Sequence, residues 1–192
     1  MLASAWPAAF TDPDWLFEVK WDGVRALWCW DGDMLSVRSR RGRQVGPTYP
    51  ELSGYRPRQP LVLDGEIVVL DDRGHPSFQM LQSRMNLTDG RRASIGMPAS
   101  YMVFDLIHDG EDLTSMPLEY RRERLASLSL PAPMVVSAQI DGAGEALYEA
   151  VGAEGLEGIV GKKRGSAYRS GIRSPDWRKV AHVHRLSAVV GG

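Results

Sequence analysis

A single cysteine, Cys29, in 192 residues leaves no internal disulfide and none of the paired spacings that hold zinc or an iron–sulfur cluster. That scarcity fits a reducing compartment, and Cys29 itself reads as a small apolar residue inside a strand. No run approaches the roughly 20 apolar residues of a membrane-crossing helix. The opening MLASAWPAAF also lacks the basic start of a secretory signal, so the sequence predicts a cytoplasmic protein with no membrane association. Excess charge of either sign is missing too: Lys+Arg number 23 against Asp+Glu 24, and no global field draws in nucleic acid. There is no internal repeat, low-complexity tract or linker. With 43% hydrophobic and 24% charged residues, the chain has the proportions of one globular domain.

What is present is charge concentrated locally. VRSRRGR places Arg38, Arg40, Arg41 and Arg43 within six residues, and GKKRGSAYRSGIR adds Lys162, Lys163, Arg164, Arg169 and Arg173. Two basic loops beside glycine and serine suit a phosphate backbone.

Periodicity supplies the fold class. Alternation over Trp15 to Trp21 predicts a half-buried strand with Trp15, Phe17, Val19 and Trp21 on one face and Glu18, Lys20 and Asp22 on the other. Asp22-Gly23 then turns the chain through a glycine able to reach positive φ. Asp31-Gly32 between two alternating runs marks a hairpin. YPELSGY reads as a short helix or turn, and Leu61 to Gly74 as a buried strand with Asp64 and Glu66 on one face. Phe78, Leu81 and Met85 have helical spacing within Pro76 to Asn86, with Met80 and Met85 as core filler. LTDGRRASIGMPAS reads as a loop. Tyr101 to Asp109 is a strand, Pro117 starts a helix, and GEALYEAVGAEG is a helix ending near Gly152 to Gly155. EGIVGKK and DWRKVAHVHRLSAVV are strands, with His182 and His184 as surface histidines. The sum is one α+β domain of mainly antiparallel strands.

Charged groups recur on these strands: Lys20, Asp64, Glu66, Asp105, Glu157, Lys162 and Lys179. A buried strand face does not hold such charges singly, because each loses several kcal/mol of hydration unless paired or bound to a ligand. The set therefore points to a pocket for something charged. Phosphate chemistry fits it: a nucleophilic lysine must be unprotonated, and desolvation, neighbouring cations or a bound metal lower an amine's ordinary pKa of about 10.4.

In order, KWDGVR (Lys20 to Arg25), SRRG (Ser39 to Gly42), DGEIV (Asp64 to Val68), FDL (Phe104 to Leu106), EGIVGK (Glu157 to Lys162) and WRKV (Trp177 to Val180) closely resemble the adenylation domain of ATP-dependent DNA ligases. Bacterial ligases of double-strand-break repair are the nearest in appearance, and the resemblance runs from about Trp15 to Gly192. It implies two mainly antiparallel sheets with flanking helices and the nucleotide bound between them. Residues 1–183 would form the adenylation domain, and 184–192 would begin an oligonucleotide-binding barrel lying C-terminal to this chain.

The resemblance also implies roles. Lys20 would be the nucleophile that takes AMP from ATP, and Glu18 would accept from the adenine amine. Arg25 and Arg40 would contact ribose and phosphates, Glu66 would lie near the ribose, and Phe104 would stack on the base. Glu157, with Glu66, would bind Mg²⁺ or Mn²⁺. Lys162 closes the glutamate signature as a further nucleotide-binding residue, and Lys179 would hold the AMP phosphate. Asp22 and Asp105 stay open between structural and supporting roles. The implied partners are ATP and nicked or broken double-stranded DNA, with the protein acting as a monomer. Two other readings remain: a relative that is an RNA ligase or capping guanylyltransferase, and a non-catalytic module binding nucleotides or DNA ends. One position departs from the pattern. Such ligases carry a second Lys or Arg two residues after Lys179, whereas this chain has Ala181. A cation missing there would slow the chemistry unless Arg178 or Arg185 replaces it.

Overall fold

The computed structural model describes residues 1–87 and 89–182. Two five-stranded sheets face each other. The first contains β1 (Leu2–Ala5), β2 (Trp15–Val19), β8 (Gln139–Asp141), β9 (Gly158–Lys163) and β10 (Arg173–Ala181), in the order β1-β10-β9-β2-β8. The second contains β3 (Val24–Trp30), β4 (Leu35–Ser39), β5 (Leu61–Val69), β6 (Ala99–Asp109) and β7 (Met134–Val136), in the order β4-β3-β5-β6-β7. Strand pairs run antiparallel except β1 with β10 and β6 with β7. Among the described residues, four α-helices flank the sheets: α1 (Phe78–Met85), α2 (Gly90–Gly96), α3 (Leu118–Ser127) and α4 (Gly144–Ala153). The expected α+β architecture is the one observed.

Local chemistry sets the element ends. The β3–β4 hairpin closes where the Asp31 carboxylate accepts from the Asp33 and Met34 amides and Gly32 takes φ +108. Ser77 caps α1, and Asp89 caps α2 by accepting from the Arg91 and Arg92 amides. The core of the second sheet centres on Trp28, Leu63, Ile67, Tyr101, Val103 and Leu106, with Leu81 of α1 and Leu125 of α3 packed on it. A separate cluster of Trp15, Phe17, Val151, Ile159 and Val180 packs the first sheet against α4.

Four expectations need correction. β2 is buried on both faces, not half-buried: Trp15 and Phe17 join the cluster under α4, while Leu16 and Glu18 are buried on the opposite side. The strand ends at Val19, so Trp21 leaves that face, and its indole donates to Ser137 Oγ at 2.9 Å. Gly23 has no positive φ; its need is space, because a Cβ there would lie 2.2 Å from the Ile67 carbonyl oxygen. Met85 is not core filler. It is 46% exposed and Phe78 40%, because the inward face of α1 is Leu81 and Arg84. Arg84 is fully buried because the Thr48 and Met97 carbonyls and Glu51 accept its donors, and Tyr49 stacks beneath it. LTDGRRASIGMPAS is not all loop, since Asp89 supplies the cap that starts α2.

β1, β7 and β8 are strands too short to show alternation. His182 stacks on Tyr148 with ring centroids 3.9 Å apart; His184, Arg185 and the expected barrel segment 184–192 lie outside the described residues. Among the described residues, no helix is long and apolar enough to cross a membrane.

Because Gly23 sits against backbone that cannot yield, Gly23→Ala should destabilise the protein by about 1–3 kcal/mol. Urea denaturation followed by tryptophan fluorescence measures this as a lowered midpoint with unchanged slope.

Candidate active site

Between the sheets lies a cleft of about 780 Å³. Glu18, Lys20, Arg25, Arg40, Glu66, Phe104, Lys162 and Lys179 all line it, although they come from β2, β3, β5, β6, β9, β10 and the loop after β4. The structure therefore brings together every site residue expected from sequence except Glu157, which reaches the cleft through Lys20. Arg41, Arg43, Arg173 and Trp177 join the lining, as do Phe78 and Met85.

Lys20 stands just beyond the end of β2, where its amide donates to the Gly158 carbonyl at 2.8 Å. Its side chain is 21% exposed, and Nζ forms an ion pair with Glu157, the residue preceding β9. Carboxyl groups crowd this spot. Burial and the charge of Glu157 raise the pKa of Asp22. Burial pushes Glu66 up to about 8 against the opposing pull of Arg25.

The opposite end is more enclosed. Glu18 and Lys162 form a buried ion pair across neighbouring strands, and Glu18 Oε2 has no hydrogen-bond partner. Lys162 Nζ lies 4.2 Å from the Phe104 ring centroid and 4.3 Å from that of Trp177, and donates to the Phe104 carbonyl at 3.4 Å. Burial lowers the Lys162 pKa, while Glu18 opposes the change. Phe104 and Trp177 meet edge to face at 6.1 Å. Sequence reasoning placed Trp177 only as part of a motif; its indole is half of the aromatic floor.

Arg25 is already engaged. Its Nε and Nη2 donate to the two Asp64 oxygens at 3.0 and 2.5 Å, and Tyr168 Oη donates to Asp64 Oδ2 at 2.7 Å. Asp64, fully buried, thus ties β5 to the loop before β10 and holds Arg25 over Phe104. Asp105 is structural: it is fully buried and held in a two-point pair by Arg121 of α3. Neither Tyr168 nor the buried arginines of α3 stood out in the sequence. A tyrosine in a basic loop and arginines in an amphipathic helix look like surface residues.

Lys179 faces the cleft, and strand alternation puts Ala181 on the same side. Arg178 points the other way, its guanidinium 3.8 Å over Trp6 and 4.2 Å over Trp15, so it does not replace a cation at position 181.

Comparison with known proteins adds the decisive observation. The ATP dependent DNA ligase domain family matches residues 1–181. This chain belongs to the ATP-dependent DNA ligase domain family. The ligase domain is 35% identical over 182 residues to the multifunctional non-homologous end joining DNA repair protein LigD of Mycobacterium tuberculosis, covering 93% of this chain but 23% of that protein. It is 30% identical to the SPbeta prophage-derived DNA ligase-like protein LigB of Bacillus subtilis, across 100% of this chain and 70% of LigB. The solved structure of a mycobacterial DNA ligase D complexed with ATP and MES superposes with a TM-score of 0.78 at 32% identity, over 94% of this chain and 59% of that one.

Within this ligase domain, Asp64 has two partners that depend on it. Asp64→Ala should cost about 2–4 kcal/mol, because Arg25, only one-fifth exposed, and the Tyr168 hydroxyl both lose their buried acceptor. Equilibrium urea unfolding of the two proteins side by side measures it.

Proposed function

We propose that this chain is the adenylation domain of an ATP-dependent DNA ligase acting in DNA repair in the cytoplasm, and that Lys20 becomes covalently linked to AMP. The observation that carries the reading is the placement of Lys20 at the mouth of a cleft whose far end holds an unpartnered carboxylate oxygen, Glu18 Oε2, beside an aromatic floor. That oxygen accepts from the exocyclic amine of adenine; guanine would present a carbonyl there and be repelled. Phe104 stacks on the base, Glu66 lies toward the ribose, and Arg40 with Lys179 holds phosphate oxygens. Arg25, engaged by Asp64, acts on the nucleotide as a fixed charge beside Phe104. Lys162 neutralises one oxygen of Glu18 and leaves the other for the base.

The chemistry runs in three transfers. Lys20 Nζ, its proton released to solvent, forms an N–P bond to the α-phosphorus of ATP, and the bond to pyrophosphate breaks. A 5′-phosphate oxygen of nicked or broken DNA then attacks the same phosphorus; the N–P bond breaks and Lys20 regains a proton. Finally a DNA 3′-hydroxyl attacks the 5′-phosphorus, giving up its proton to solvent, and the bond to AMP breaks.

A divalent metal fits the donor set. Three carboxyl groups, Asp22, Glu66 and Glu157, surround one ammonium, and two of them have raised pKa values. Mg²⁺ and Mn²⁺ are commonly held by one or two carboxylates together with substrate phosphates. Glu157 and Glu66 would hold such an ion, and it would supply charge neutralisation at the phosphates.

Ala181 favours one rival, a non-catalytic nucleotide- or DNA-end-binding module. Intact mass separates the two, because a lysyl-AMP adds mass on incubation with ATP and Mg²⁺ and a binder gains none. Lys20→Ala should abolish the adduct while leaving the thermal midpoint within a few degrees of the wild type; adduct formation by this variant would remove Lys20 as nucleophile. Labelling by GTP in place of ATP would instead support a capping enzyme.

Position 181 gives a second test. Losing a positioned cation at a developing phosphoryl charge costs about 3–4 kcal/mol, and the structure shows Arg178 turned away. Ala181→Lys should therefore raise the single-turnover rate of Lys20 adenylylation by about tenfold or more, with ATP affinity changing less. An unchanged rate would mean that another cation already serves the α-phosphate.

A further inference from the structure

Helix α3 sends two adjacent arginines inward. Arg121 is absorbed by Asp105 and by the Met116 and Ser166 carbonyls. Arg122 is also buried, but its acceptors come from both walls of the cleft. Nη1 donates to the Phe104 carbonyl of β6 at 2.9 Å. Nη2 donates to the Ser137 carbonyl at 2.6 Å, and Nε to Gln139 Oε1 at 2.8 Å. Gln139 opens β8 and pairs in register with Glu18 of β2. Ser137 Oγ accepts from Trp21, the residue directly after Lys20, and the Ser137 amide donates to Val103 beside Phe104.

One guanidinium therefore joins the backbone of the aromatic floor, the strand beside Glu18 and, through Ser137, the indole next to the nucleophile. We propose that Arg122 is a positioning residue for adenylylation, holding Phe104 and the Lys20–Trp21 segment in one frame. The proposal rests on the reading of the cleft as the ATP site.

Geometry makes arginine the suitable residue. Three acceptors in three directions match a planar fork of five N–H donors, whereas a lysine ammonium offers one point and a flexible stem. Lys162 also donates to the Phe104 carbonyl, so two buried cations converge on that oxygen, and Arg122 adds to the lowering of the Lys162 pKa. A residue that only stapled the helix to the sheets would affect stability alike for every ligand. A residue that sets Phe104 affects what binds through a base.

The test compares ATP with inorganic tripolyphosphate, which has phosphates but no base. Binding of each is followed by fluorescence of Trp21 and Trp177, which line the cleft. Adenylylation is followed by intact mass in a single turnover. Wild type, Arg122→Lys, Arg122→Met and Ser137→Ala are each compared below their melting temperatures. Arg122→Met should weaken ATP about tenfold, or about 1.4 kcal/mol, and tripolyphosphate less than twofold. Arg122→Lys should fall between Met and wild type. Ser137→Ala, which removes only the acceptor of Trp21, should slow adenylylation about threefold or more with ATP affinity unchanged.

Equal losses for ATP and tripolyphosphate, or wild-type affinity in Arg122→Met, would overturn the proposal. If Arg122→Met does not fold, wild-type behaviour in both Arg122→Lys and Ser137→Ala overturns it. If the wild type itself gains no AMP mass, the adenylylation reading fails, and the ATP-to-tripolyphosphate comparison still judges Arg122.

Discussion

Charge buried between two sheets must be paired, and that requirement shapes this cleft. Glu18 with Lys162, Arg25 with Asp64 and Arg121 with Asp105 each place a buried carboxylate against a cation on a neighbouring element, with only Arg25 keeping part of its side chain exposed. Such pairs add little net stability compared with apolar packing, but losing one partner is expensive, because the other remains buried and charged. Their effect is therefore to fix geometry. Asp64 shows it best: with Arg25 on both oxygens and Tyr168 on one of them, its carboxylate locks β3, β5 and the loop before β10 together directly under the aromatic floor.

The same requirement explains which parts of the site could be read from the chain. Lys20, Glu18, Glu66, Phe104, Lys162 and Lys179 sit at strand ends or on strands, within short contiguous runs, so the family resemblance could name them motif by motif. The longer strands and α1, α3 and α4 follow from the periodicities of strand and helix. The failures share one cause. A charged residue that is buried by its partners looks, in one dimension, like a charged residue on a solvated surface. Arg84, Arg121 and Arg122 were hidden for that reason, and with Arg84 unseen at the core face of α1, Met85 took its place in the expected core. Gly23 failed differently: its constraint comes from Ile67, a residue far along the chain, and no local signal reports a neighbour.

Short elements were the other blind spot. β7 and β8 have three residues each, less than two periods of alternation, and β1 becomes a strand only because β10 is there to pair with it. Yet β8 begins with Gln139, one of the residues that tie Arg122 to the strand bearing Glu18. The least legible elements thus support the most legible motifs.

The two ends of the cleft differ in how far they are organised before any ligand arrives. At the end that would take the base, Glu18, Lys162, Phe104, Trp177 and Arg25 are held by one another, by Asp64 and by the Phe104 carbonyl, and one carboxylate oxygen is left over. Little reordering is needed there, so a base entering it meets donors and rings already in place. At the other end, Arg40, Arg41 and Arg43 come from the loop after β4, and Lys179 stands on β10, whose face continues into the small side chain of Ala181. On the proposed reading of the cleft, recognition of the nucleotide is concentrated in its base, while charge stabilisation at the phosphates depends more on what the substrate and its counter-ion bring. The clustering of carboxyl groups around Lys20 suits that division: burial raises the pKa values of Asp22 and Glu66, and the group becomes favourable once positive charge arrives beside it.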